Sequence, residues 1–296
     1  MAHVPNRPIA QSPKNLRVAF FGTPRLAQIV LEKLIDSPYR PLLVVTAPDT
    51  KAGRGQTLGQ SPVKQTAQKY NIDTSYQLPK TSNQFDLAIL VAYGKIIPEK
   101  ILTIPKYGFI NVHPSLLPKY RGPSPIQSAI LEGEENTGVT IIKLDEAIDH
   151  GPILAQSEVA ITNGDTHASL VEKLGELGAK LLIKTLPKYL AGKIKPSHQD
   201  NLKATFTKRI TKQDGEIDLL NPPNPLNLNR MIRAYYPWPG TWCRLTVHSR
   251  QFTVKFLPGN LIQPEGKHAM SISEFRNGYP EVFQQISRLF GSEAQS

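Results

Sequence analysis

The chain has 296 residues, with 35 Lys or Arg against 24 Asp or Glu and a formal net charge of +11. Hydrophobic residues make up 40% and charged residues 20%, a balance that supports a packed core and excludes wholesale disorder. The single cysteine, Cys243, excludes a disulfide framework or a thiolate metal cluster within one chain, and no apolar run nears the roughly 18 residues of a membrane-spanning helix. Residues 1–15 are polar with no apolar stretch behind their charges, which does not fit a secretory signal. A soluble, cytoplasmic protein acting as a monomer away from membranes is expected.

In chain order, residues 16–22 are mostly apolar and end at Gly22, predicting a buried strand and a turn. Leu26, Ala27, Ile29, Val30 and Leu34 then recur at helical spacing until Asp36-Ser37-Pro38 stops them. Residues 42–46 form a second strand, and Ser61-Pro62 reads as an N-cap with proline at the first helical position, opening a helix to about Tyr70. Further strands are predicted at 86–93, 108–113 and 138–144 and a long helix at 166–190. This succession predicts an α/β fold: a Rossmann-like, mostly parallel sheet with helices on both faces, filling a first domain of residues 1–190. Residues 191–207, rich in breakers and positive charge, read as a linker. Residues 208–296 read as a second, β-rich domain, with a helix near 226–234 and alternating runs at 241–247 and 251–257.

Charge is unevenly divided. Residues 1–64 carry a net +6, residues 65–183 a net −3, residues 184–214 a net +6 and residues 215–296 a net +2. A stretch as basic as 184–214 repels itself unless a polyanion lies nearby, which points to nucleic acid as partner.

Several common chemistries fail on inspection. Gly22-Thr-Pro-Arg-Leu-Ala27 stands where a dinucleotide fingerprint belongs, but Pro24 replaces the glycine that lets a pyrophosphate approach. The Gly-Lys-Ser/Thr of a phosphate-binding loop, the HExxH of a zinc site and the GxSxG of an esterase elbow are all missing from the sequence. No metal is expected.

Asn111 and His113 lie two apart at the end of an apolar strand, so both project from one face at its carboxyl edge. Asp149 follows the next apolar strand; if the two strands are neighbours, its carboxylate reaches the imidazole. An amide donor, an imidazole and a carboxylate at one crevice suit acyl transfer: the amide steadies an oxyanion and the imidazole moves a proton. Ser115 and Ser124 lack an elbow motif and read as structural.

Asn111-Val-His-Pro-Ser-Leu-Leu-Pro-Lys-Tyr-Arg-Gly-Pro-Ser-Pro-Ile126 resembles the central signature of the folate-dependent formyltransferases, and Thr137-Gly-Val-Thr-Ile141 is similar to the strand that follows it there. The resemblance implies 10-formyltetrahydrofolate as co-substrate and Asn111, His113 and Asp149 as catalytic residues. It also implies a folate pocket lined by Ser115, Leu116, Leu117 and Pro118, with Tyr93 alongside. The stretch from Pro48-Asp-Thr-Lys-Ala-Gly-Arg-Gly55 through Ser61-Pro-Val-Lys64 resembles the insertion that the tRNA-directed branch of the family uses against the acceptor stem. Initiator methionyl-tRNA is therefore the implied acceptor, with Lys51 and Arg54 as tRNA contacts and residues 208–296 as a shortened, OB-like tRNA-binding domain. The alternatives are a sugar-nucleotide amine N-formyltransferase and a non-catalytic RNA-binding relative. Two departures stand out: Ala147 replaces the first glycine of the family's DxGxDxG, and the stretch between Leu257 and Gly266 is short.

Overall fold

Five consecutive buried residues, Val18–Gly22, form the first strand (β1) of the computed structural model, which describes residues 16–52, 57–78, 81 and 84–290. Helix α1 (Arg25–Ile35) follows with Leu26, Val30 and Leu34 on its buried face, and β2 (Leu43–Val45) lies parallel to β1. Next come β3 (Thr50–Ala52) and β4 (Thr57–Gly59), an antiparallel hairpin in the stretch read from the sequence only as an insertion. Helix α2 (Pro62–Lys69) starts as predicted: the Ser61 hydroxyl accepts from the Lys64 amide at 3.1 Å. The chain continues through β5 (Asp73–Ser75), β6 (Leu87–Val91), α3 (Glu99–Leu102), β7 (Phe109–His113), α4 (Pro125–Glu132), β8 (Asn136–Lys143), β9 (Ile153–Ala160) and α5 (His167–Leu190).

These strands form one seven-stranded sheet in the order β5-β2-β1-β6-β7-β8-β9. Pairings from β5 to β7 are parallel, and β8 runs antiparallel to β7. Every residue of β1 and β7 is buried, as expected for strands covered on both faces. Phe21, Phe85 and Phe109 form an aromatic cluster beside the sheet, with Phe21 and Phe109 5.2 Å apart. Helix α5 approaches β7 closely at Gly178, where an added Cβ would lie 2.8 Å from a Val112 methyl.

The described residues fall into two compact units, each discontinuous in sequence. One comprises the chain up to Pro123 with Gly138–Glu158 and Glu172–Phe206; the other comprises Ser124–Thr137, Val159–Val171 and the chain from Thr207 onward. In the second unit, α6 (Pro225–Tyr235) precedes β10 (Thr241–Val247), β11 (Arg250–Leu257), β12 (Leu261–Pro264) and β13 (Met270–Ser271), an antiparallel sheet in sequence order. Helices α7 (Ile272–Gly278) and α8 (Pro280–Ile286) follow, the first opened by a capping box between Ser271 and Glu274. Cys243, Val254, Phe275 and Ile286 sit in its core, and burial pushes the Cys243 thiol up to about 12, away from reactivity.

Candidate active site at the end of the seventh strand

Strand β7 carries Asn111 and His113 on one face, and both are buried, each with 4% of its surface exposed. Strand β8 is their neighbour, with His113 opposite Thr140 and Ile110 opposite Lys143. Because β8 runs antiparallel, it ends beside the start of β7, and residues 144–152 carry the chain to Asp149. The Lys143 amide donates to the Pro152 carbonyl at 3.1 Å, and a Cβ on Gly151 would overlap the Lys143 carbonyl oxygen. This glycine is therefore required for the close return of the loop. Ala147 is exposed and lies outside the left-handed region, so the backbone at this position does not call for glycine.

The structure brings the three residues together. Asn111 Nδ2 donates to Asp149 Oδ1 at 3.1 Å, the Gly122 amide donates to Asp149 Oδ2 at 2.8 Å, and His113 Nδ1 lies 3.5 Å from Oδ2. His113 Nε2 donates to the Tyr120 carbonyl at 3.0 Å, because a carbonyl only accepts. Asp149 and Tyr120 both hold left-handed backbone, with φ of 48° and 62°. Such conformations cost about 1 kcal/mol or more for residues with a side chain and persist where surrounding contacts over-determine them. The carboxylate fixes the Asn111 amide orientation through one of the two N–H groups of that amide.

Residues 114–120 are braced from below. The Ser115 hydroxyl donates to the Lys119 carbonyl at 2.7 Å, and Thr140 Oγ1 donates to the Ser115 carbonyl at 2.7 Å while accepting from the Leu117 amide at 3.1 Å. Gln156 Nε2 donates to the Leu117 carbonyl at 2.8 Å. Ser115 is thus fully buried and satisfied, Leu117 is buried, and Leu116 and Pro118 are half-buried. Tyr93 packs its ring against Phe21 in the aromatic cluster, and its buried hydroxyl has no hydrogen-bond partner. Burial raises the Tyr93 phenol above its ordinary value. Lys51 is in β3, while Arg54 lies outside the described residues.

Several residues here escaped the sequence reading. The segment read as a linker supplies Gln199, whose Nε2 donates to the carbonyls of Asp149 and Gly151, each at 2.8 Å. Arg121, 4% exposed, donates from Nε and Nη2 to Gln199 Oε1 at 3.1 and 2.8 Å. Nothing local in the sequence marks Gln199, which is 50 residues from Asp149. Among the described residues no group of three or more His, Cys, Asp or Glu is placed to hold a metal ion, and no helix is long and apolar enough to cross a membrane.

A family model described as formyl transferase matches residues 16–186. The methionyl-tRNA formyltransferase of Roseiflexus castenholzii is 42% identical over 241 residues, covering 77% of this chain and 76% of that protein. The methionyl-tRNA formyltransferase of a Sulfurihydrogenibium species is 40% identical over 303 residues, covering 92% of this chain and 96% of that one. Among solved structures, a 4-N formyltransferase from Francisella tularensis superposes with a TM-score of 0.64 at 20% identity, covering 82% of this chain and 98% of its own. An N-formyltransferase from Helicobacter canadensis, in complex with folinic acid and dTDP-3-aminofucose, gives 0.60 at 18% identity, covering 85% and 96%. At these identities the structural matches establish the fold.

Proposed function

The chain belongs to the methionyl-tRNA formyltransferases, and on that footing we propose that it transfers the formyl group of 10-formyltetrahydrofolate to the α-amine of methionine on initiator tRNA. One observation carries the reading: the likeness to the tRNA-directed enzymes runs over nearly the whole chain, well beyond the region matched as formyl transferase.

The neutral methionyl amine attacks the formyl carbon, the carbonyl oxygen gains negative charge, and the bond to the folate nitrogen breaks as that nitrogen is protonated. Asn111 is the oxyanion donor, through the N–H that Asp149 leaves free. His113 moves the proton. Its Nε2 is committed to Tyr120, so Nδ1, beside Asp149, is the exchanging nitrogen. Asp149, held by two N–H donors, keeps the amide and the ring in place and balances the charge of the protonated imidazole.

The braced turn of Ser115, Leu116, Leu117 and Pro118 is assigned to the folate. Ser115 is internally satisfied, so its contribution is to shape the turn. Tyr93, whose ring packs against Phe21, is assigned to the same pocket. Lys51 and Arg54 are assigned to the acceptor stem, and the basic segment and the unit from Thr207 onward to the rest of the tRNA. The reaction proposed here needs no metal.

The test is acceptor choice. With labelled 10-formyltetrahydrofolate, wild-type protein is expected to formylate initiator Met-tRNA and leave a nucleotide-linked amino sugar untouched. Labelling of the sugar with none on the tRNA contradicts the proposal.

A further inference from the structure

Asp149 does not hold its position alone. Its loop contains a left-handed residue with an ordinary side chain, and its carboxylate is useful only while it faces Asn111 and His113. The Gln199 amide nitrogen spends both of its hydrogens on this loop, bridging the carbonyls of residues 149 and 151, and so locks the backbone on either side of His150. Arg121 determines which way that amide points. Two guanidinium N–H groups donate to its oxygen, and only the flip that turns the NH2 toward the loop satisfies them. Asn201 Oδ1 accepts from the same Arg121 Nη2 at 2.8 Å.

The segment around Gln199 ties down both loops that face the His113 ring. Ser197 exchanges backbone hydrogen bonds with Ile153, at 2.8 and 2.9 Å, just past the Asp149 loop. Thr205 accepts from the Arg121 amide through its carbonyl at 2.8 Å and from the Tyr120 amide through its hydroxyl at 2.8 Å. Tyr120 in turn supplies the carbonyl that fixes His113 Nε2. Residues 197–205 therefore link the support of Asp149 to the support of His113.

We propose that Gln199, oriented by Arg121, is a positioning residue for Asp149, so that the stretch joining the two halves of the sequence helps to assemble the formyl-transfer site. This rests on the catalytic reading of Asp149 given above. Losing the two bonds releases the strained loop, and a displacement of about 1 Å at a reacting group costs up to about a hundredfold in rate.

The test uses the full chain with initiator Met-tRNA and 10-formyltetrahydrofolate. Gln199→Met, close in length and volume, is expected to lower kcat about 10- to 100-fold and to leave KM for both substrates within about twofold. Introduced into Asp149→Ala, the same change is expected to cost almost nothing more, because the group it positions is already gone. Gln199→Glu keeps the bulk and the Arg121 contact but turns an oxygen toward the carbonyls, and is expected to show the same selective kcat loss if Gln199→Met does not fold. Wild-type kcat in either variant, a loss confined to KM for tRNA, or losses that multiply in the Asp149→Ala background overturn the proposal. Wild-type activity in Asp149→Ala itself would instead remove the catalytic reading on which it stands.

Discussion

The Lys64 ammonium lies 2.6 Å from the Asp49 carboxylate, and these two residues bracket the β3–β4 hairpin in sequence. Thr46 and Ser61 add a hydroxyl pair at 2.8 Å between the same two strands of chain, so both feet of the hairpin are joined on each side of it. The other Asp49 oxygen is buried without a partner, and Lys64 also lies over the Tyr76 ring.

Removing one member of such a pair leaves an uncompensated carboxylate, which is worse than removing both. Lys64→Met is expected to lower Tm and to raise KM for Met-tRNA several-fold, because the hairpin loses its base while the chemistry stays intact. Adding Asp49→Asn is expected to recover part of the lost Tm. Thermal melts and initial rates on the two variants measure both effects.

Gly151 is where the Asp149 loop passes the Lys143 carbonyl, and a methyl group there overlaps backbone oxygen rather than a movable side chain. Gly151→Ala is expected to lower kcat by about a hundredfold through displacement of Asp149. Ala147→Gly, at an exposed position in the same loop, is expected to stay within about twofold of wild type. Steady-state kinetics on the pair separates a close-approach requirement from general loop stiffness.

Burial pushes the His167 imidazole down to about 4 from its ordinary 6.5, and its Nδ1 is buried with no hydrogen-bond partner. The folded state resists the second proton, so the stability tied to this residue is complete above pH 6.5 and is lost as pH falls toward 4. The loss amounts to roughly 3 kcal/mol. Tm measured from pH 7 to pH 4 is expected to fall less steeply in His167→Gln than in wild type. Parallel curves contradict the assignment.

Counterion release makes a tRNA grip built from basic segments salt-sensitive. Between 50 and 200 mM salt, Kd for Met-tRNA is expected to rise by about 10³, as for six or more neutralised phosphates. Filter binding across that range checks it, and a flat response would deny the basic segments their role.

Much of the sheet could be read in advance because β1, β6 and β7 are short apolar runs bounded by turn residues, and Ser61 announced its helix through a capping preference. Asn111 and His113 were legible as a pair because strand periodicity places them on one face. The direction of β8 was not, since an apolar run looks alike read either way along the sheet. β9 was overlooked because its residues after Leu154 alternate between half-buried and exposed, with little apolar signal. Gln199 carries no such signal, because its partners are two carbonyl groups and one arginine distant in sequence.

Formyl transfer as proposed depends above all on His113 as the group that moves the proton. In single-turnover assays with excess enzyme, labelled 10-formyltetrahydrofolate and initiator Met-tRNA, His113→Ala is expected to slow transfer by about 10²- to 10⁴-fold while still binding both substrates. A His113→Ala rate within a few-fold of wild type would contradict the account.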